Sequence, residues 1–493
     1  MSILFVLIPL IGAILVLSGV KARLSALITS GATLFFALGC LFCWKSDVWS
    51  MSLQVLETPN IHLALGFPDG ISVAMVLLSS LVLFAAVFHG GAPEGKEKLW
   101  YSSSLLIGAG AIGAFLSTDL FFFYAFHELA LIPTFLMIGM LGKGDRKEAA
   151  WKITIYLAFG SIVLLAGLLW LVQASGAESW MFSDVLAGNI DPDAQKGIAL
   201  LLIIGFGTLI SLFPFHSWAA PAYAAAPTPV AMLHAGVLKK FGLYGLIRLY
   251  PTVTEGMQHW LGLLIVLLLG NILWVGFVTL NQKRLDSLLG NSSVMHMGYI
   301  FLALAALIDA GSAEANPIAI PGAVLLMFAH GISIAMLFCL ADHVHKRTGS
   351  LVIADLGGLA KATPALAFFF GLAGMASIGL PGLANFSGEV LVFLSGFHAY
   401  EGGKLGCIQV ATVLALWGVV ISAVYMLRAF RKTFQGPAVP NSVAAKDLTF
   451  WEKLPALILA VALLVVGLYP NSLLNLLKGC GCKCPAQTEQ ADK

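Results

Sequence analysis

Residues 119–141 read DLFFFYAFHELALIPTFLMIGML, a run of aromatic and aliphatic side chains with one glutamate, Glu128, near its middle. A helix of about 20 apolar residues crosses about 30 Å of hydrocarbon, so the run predicts a membrane-spanning helix. A charged side chain at that depth costs about 2.5–3.5 kcal/mol on insertion scales and usually lines an ion or substrate path. The pattern recurs, because Lys240, His330 and Glu389 also lie near the middle of long apolar stretches. Four such residues point to movement of charge across a membrane.

Working outward, 59% hydrophobic residues, 11% charged residues and a mean hydropathy of +0.92 exclude a soluble domain of this length. The expected fold is an all-α polytopic membrane protein with about fourteen transmembrane helices. Their expected positions are 2–20, 25–44, 71–90, 101–118, 119–141, 150–173, 197–220, 229–250, 259–280, 288–309, 320–342, 363–398, 405–430 and 454–474. Span 7 is interrupted at Pro214 and span 12 at Pro381-Gly382. Unwound backbone at membrane depth is tolerated only where protein or water satisfies it, so discontinuous helices 7 and 12 mark a pathway. If spans 4–8 and 9–13 are five-helix units, each break falls in the fourth helix, and the odd helix count inverts one unit relative to the other. The expected organisation is spans 1–3 in residues 1–100, a first unit at 101–250, an inverted unit at 259–432, and a last span with a cysteine-containing tail at 433–493.

A formal net charge of +2 argues against nucleic acid as a partner. With the N-terminus outside, 18 basic residues fall in inside loops and 7 in outside ones, Lys239 and Lys240 being intramembrane. That asymmetry predicts both termini on the outer face. The first apolar run lacks a basic flank and a small-residue cleavage site, so it reads as a retained span of a bacterial inner-membrane protein.

Several motifs fail on context. Gly108, Gly110 and Gly113 spell a dinucleotide fingerprint but lie inside span 4, where small residues serve close helix packing. His127-Glu128 begins a zinc-protease motif that Leu131 breaks. His343 and His345, beside Lys346 and Arg347, read as a solvated helix end, and Cys40 and Cys43 as apolar fillers. Cys480, Cys482 and Cys484 could bind a soft metal or form disulfides, but read more simply as an unordered tail. No nucleotide-binding loop or iron–sulfur cysteine cluster is present, so no cofactor is expected on this chain.

Nearly the whole chain resembles subunit M of bacterial NADH–quinone oxidoreductase, respiratory complex I. That antiporter-like family also includes Mrp antiporter and membrane hydrogenase subunits. The resemblance is carried by residues 122–133 (FFYAFHELALIP), 226–229 (APTP), 235–242 (AGVLKKFG), 292–299 (SSVMHMGY), 329–331 (AHG), 355–359 (DLGGL) and 379–389 (GLPGLANFSGE). The length, and a chain that stops soon after span 14, favour subunit M over subunit L.

The resemblance implies a membrane-arm subunit that moves protons while quinone is reduced elsewhere. NADH, FMN, iron–sulfur clusters and quinone then belong to partner subunits, and the L- and N-type antiporter-like subunits are neighbours. By resemblance Glu128 is the input carboxylate, Lys240 the central relay, and His330 and Glu389 the exit half. His127, His216, His234, Lys239 and His296 are accessory candidates. Gly236, one turn before Lys240, is expected to leave room for water. The family's span 7 lysine and the proline two residues later are absent, since Leu209 and Ser211 stand there. His127, or Lys239 from span 8, could replace that lysine as the partner of Glu128; otherwise the input half is idle. A non-pumping structural subunit and an Mrp-type or hydrogenase subunit remain the alternatives.

Overall fold

A computed structural model describes residues 1–478; Cys480, Cys482 and Cys484 lie outside the described residues. Twelve of its helices are long and apolar enough to cross a membrane. With labels that follow the expected spans, these are α2 (Ala22–Cys40), α3 (Gly70–His89), α4 (Glu97–Leu116), α5 (Leu120–Leu141), α6 (Arg146–Ser175), α7a (Pro192–Ile210), α8 (Thr228–Thr252), α9 (Leu261–Leu280), α10 (Leu285–Ala310), α11 (Ala319–Thr348), α13 (Cys407–Phe434) and α14 (Phe450–Leu468). Shorter apolar helices are α1 (Leu4–Leu17), α12a (Pro364–Ser377) and α12b (Ala384–Phe397), and α7b (Ala219–Ala225) follows the first break.

Burial separates a core from a rim. Helices α8 and α11 are buried along their whole spans and α3, α4 and α10 nearly so, whereas α2, α5, α6, α9, α13 and α14 each bury less than half of theirs. The rim presents Trp151, Ile155 and Ile162 of α6, Trp274 of α9 and Trp417 of α13, a surface suited to lipid or another subunit. The glycine-rich stretch of α4 serves packing, as its sequence suggests: a Cβ at Gly110 or Gly113 would collide with the Phe126 carbonyl or ring of α5.

Both expected breaks are present. The first comes before Pro214, because Ser211 already takes a left-handed conformation at φ 66° and ends α7a. Asn271 of α9 holds the unwound chain, accepting from Phe213 N at 2.5 Å and donating to the carbonyls of Ser211 and Val294. Trp218 Nε1 donates to Thr208 O at 3.1 Å. The second break runs from Ile378 to Leu383, with Gly379 at φ 76° and Gly382 at φ 90°. Gly467 of α14 lies against the Gly382–Leu383 backbone, where a side chain would not fit.

Two features depart from the all-α expectation. An antiparallel hairpin pairs β1 (Met51–Leu56) with β2 (Ile61–Leu65) between α2 and α3. Its alternation is masked by an apolar composition that reads equally as loop or interfacial helix. Helix α8 contains a π-turn over His234–Leu238, and α9 another over Gly270–Val275. At the hairpin end, Met1 N bonds Val48 O and Leu476 O abuts Gly70. The opposite, basic end gathers Lys143, Lys346 and Arg347.

Candidate functional site

At the rim, Glu128 of α5 accepts a 2.5 Å hydrogen bond from Ser161 Oγ of α6. His127 Nδ1 lies 3.5 Å from the same Glu128 oxygen, although adjacent helical residues ordinarily face apart. The distance is that of an ion-pair contact, and His127 Nδ1 has no hydrogen-bond partner. The His127 ring also stacks on Phe241 of α8, with centroids 4.0 Å apart. Leu209 is buried and touches Gly160, the residue before Ser161, so an aliphatic side chain fills space close to the Glu128 partner. The Glu128 side chain itself stays 35% exposed.

Both lysines of α8 are buried, but their surroundings differ. Lys240 Nζ donates to Ala235 O at 2.7 Å, a carbonyl inside the π-turn that immediately precedes it. π-Turns inside α-helices are frequent at functional sites, and here one supplies a backbone acceptor to a buried cation. Lys239 Nζ has no hydrogen-bond partner and instead lies 5.1 Å from the Tyr223 ring centroid and 5.9 Å from that of Trp218. Lys239 thus points into an aromatic enclosure and does not contact Glu128. His234 joins that enclosure through a 3.1 Å contact between its Nδ1 and Tyr223 Oη. Gly236 does not leave room for water: a Cβ there would meet the Gly331 backbone of α11, and the two glycines bring α8 and α11 into close contact.

Beyond Lys240, His330 of α11 and His296 of α10 stack with centroids 5.2 Å apart and planes 12° from parallel. His330 Nε2 meets Ser293 Oγ at 3.2 Å. Both nitrogens of His296 lie 2.8 Å from carbonyls, one of Ser292 and the other of Ser377 at the end of α12a. His296 therefore braces the second break and is more than packing. Across it, Asn385 Nδ2 of α12b reaches Ser333 Oγ of α11 at 3.4 Å. One turn later Glu389 is enclosed, its carboxylate against Gly379 in the unwound stretch.

The structure thus pairs Glu128 with His127 on the rim, His296 with His330 in the core, and Glu389 with the unwound backbone of the second break, with Lys240 buried on its own π-turn. His216 stands apart in the first break, half-buried and stacked on Phe213. Three features escaped the sequence reading. Ser161 was invisible as a small polar residue on a neighbouring helix. Arg248, near the end of α8, pairs bidentately with Asp69 at 2.6 and 2.8 Å and ties α8 to the start of α3. A cavity of about 560 Å³ opens at the basic end, lined among others by Lys143, Glu148, Lys152, Arg284 and His345. Outside the spans, Asp286 beside Arg284 raises the guanidinium pKa, and burial raises the Asp119 carboxyl despite three backbone amides donating to it.

A multi-span bundle with two broken helices and ionisable groups set inside its apolar spans has the arrangement of an antiporter-like membrane subunit. Residues 117–415 match the family model described as "NADH:quinone oxidoreductase/Mrp antiporter, TM", and the chain belongs to that family. It is 33% identical over 441 residues to NAD(P)H-quinone oxidoreductase chain 4 1 of Synechococcus sp. (strain JA-3-3Ab), covering 87% of this chain and 82% of that one. It is 32% identical over 413 residues to NADH-quinone oxidoreductase subunit M of Rickettsia felis, covering 83% and 80%. Among solved structures, a chain of respiratory complex I from Thermus thermophilus with bound NADH superposes with a TM-score of 0.88 at 28% identity, covering 97% of this chain and 98% of that one.

Proposed function

We propose that the chain is a membrane-arm subunit of an NADH–quinone oxidoreductase and translocates protons, driven by quinone reduction in partner subunits. The observation that carries this reading is that Glu128 with His127, Lys240 on its π-turn, the stacked His296 and His330, and Glu389 at the second break all lie inside apolar spans. Such groups gain and lose protons, and burial makes their charges strongly interdependent. In this reading Glu128 loads protons, Lys240 relays them, and His330 with Glu389 releases them. His127 and Ser161 take over the part of the missing span 7 lysine. NADH, FMN, iron–sulfur clusters and quinone sit on the partners.

Counting each broken helix once gives fourteen spans, with inverted units at 101–250 and 259–432 and peripheral segments at 1–100 and 433–493. The 18 to 7 basic asymmetry supports the basic end inside a bacterial plasma membrane and both termini outside. Glu128, a third exposed on an apolar rim, is covered by a neighbouring L- or N-type subunit, since a carboxylate facing lipid is costly. A second reading, a non-pumping structural subunit, draws on Leu209 where the family carries lysine. Protons moved per NADH oxidised in inverted vesicles, for the parent, Lys240→Ala and Glu128→Gln, decide between the two. Unchanged ratios and turnover in both assembled variants overturn the pumping role.

A further inference from the structure

At the basic end, α11 carries Cys339 and His343 four residues apart, which places both on one face of the helix. That face meets the last residue of α3, His89. One ligating atom from each of the three lies within 4.8 Å of the others. The His89 and Cys339 side chains are fully enclosed and that of His343 is 3% exposed. Cys339 Sγ is 3.3 Å from His89 Nδ1, and the two imidazole centroids are 4.7 Å apart. His343 Nε2 is buried with no hydrogen-bond partner.

We propose that His89, Cys339 and His343 form a binding site for a zinc-class divalent ion. Two imidazoles and a thiolate are a donor set suited to such an ion, with a fourth position open. Donors on a tetrahedral ion with metal bonds of about 2.0–2.3 Å stand about 3.3–3.6 Å apart, so the cluster closes by at most about 1.5 Å. The surrounding groups are arranged as a metal site requires. His89 Nε2 donates to Asp342 Oδ2 at 2.9 Å, which leaves the Nδ1 lone pair facing Cys339, and a carboxylate behind a ligating histidine is the usual support. His343 Nε2 is one of five buried imidazole nitrogens without a hydrogen-bond partner among the described residues; its place beside His89 and Cys339 sets it apart, and a metal bond there satisfies it. As the side chains stand, Arg347 Nη1 donates to His343 Nδ1 at 3.2 Å, so binding an ion at Nε2 requires the ring hydrogen to move to Nδ1, which then turns from Arg347 to Glu452 Oε1, 3.7 Å away. Binding releases the Cys339 thiol proton to solvent.

Three cations temper the affinity. Lys143 and Lys346 bind Asp342 at 3.1 and 2.9 Å, and Arg347 binds Glu452 at 3.0 Å. The site links α3 to α11, about 13.5 Å along the helix from His330, so an ion there pins the helix that carries the proposed exit histidine.

The test uses the full chain purified in detergent, with Cys43, Cys407, Cys480, Cys482 and Cys484 changed to serine so that the buried Cys40 and Cys339 are the remaining thiols. Titration with Co²⁺ is expected to give one equivalent and a thiolate-to-cobalt charge-transfer band that Zn²⁺ abolishes. Cys339→Ser removes the band, and Cys339→Asp keeps binding without it. Asp342→Asn keeps the band but weakens binding at least about tenfold, the effect of losing a carboxylate behind a ligand. Absence of the band in the folded parent overturns the site, as does a band that survives Cys339→Ser, or affinity unchanged in both His89→Gln and His343→Gln.

Discussion

Glu128 and Glu389 are both carboxylates near the middle of membrane helices, yet they sit in opposite surroundings. Glu128 lies on the rim, a third exposed, with Ser161 and His127 as its contacts. Glu389 is enclosed between α12b and the unwound backbone at Gly379, behind the stacked pair His296 and His330. The surroundings of Glu389 come from this chain alone, whereas Glu128 lies open toward whatever adjoins α5 and α6. The exit end is therefore expected to tolerate little change, and the rim end to be buffered by alternatives.

The sharpest way to break this comparison is at the junction between the halves. Lys240→Ala removes the one lysine of α8 whose ammonium is held by a backbone carbonyl, and no neighbour stands ready to replace it. Pumping in assembled complexes is expected to fall by about tenfold or more, within the range for losing a positioned proton-transfer group. Lys239→Ala, which empties only the Tyr223 and Trp218 enclosure, is expected to cost much less. Proton uptake by inverted vesicles during NADH oxidation measures both. Equal losses would erase the distinction between the two lysines.

Glu389→Gln tests the enclosed half directly and is expected to lower pumping by roughly tenfold. Gly379→Ala should act on the same carboxylate by a different route. A Cβ at φ 76° is strained, and it would collide with the Glu389 carboxylate, at a cost of about 1–3 kcal/mol. Reduced thermal stability of the complex, measured alongside pumping, distinguishes this from a purely electrostatic effect. A Gly379→Ala variant as stable and active as the parent would show that the break is looser than described.

What was legible in the sequence follows from cost. Ionisable residues inside apolar runs and a Pro-Gly pair inside a span are expensive, so Glu128, Lys240, His330, Glu389 and the second break could be placed from composition alone. The first break came three residues early because the start depends on Ser211 adopting a left-handed turn held by Asn271, a tertiary contact. Gly236 was misread because a missing side chain means either space or close approach, and only the position of Gly331 decides. His343 was taken for solvated because charges follow it, yet its own face of α11 turns inward to His89. The π-turn beneath Lys240 leaves no trace in composition.

The smallest and most informative effects belong to the rim half. Leu209 occupies space next to Gly160, so Glu128 relies on Ser161 and His127 where a lysine would otherwise act. Removing one of two such contacts should be partly compensated by the other. Ser161→Ala deletes a hydrogen bond to a carboxylate, worth about 1.5–3 kcal/mol between buried groups and less at a site one-third exposed. A drop in pumping of about twofold to fivefold is expected, smaller than that for either Lys240→Ala or Glu389→Gln. His127→Phe keeps the stacking on Phe241 but removes the nitrogen 3.5 Å from the carboxylate, and a loss of similar size is expected. The double variant should lose more than the product of the two singles if the contacts substitute for each other. Strictly multiplicative losses would mean that the two act independently; no loss in the double variant would leave Glu128 without a role in the path and make the enclosed half the working part of the chain.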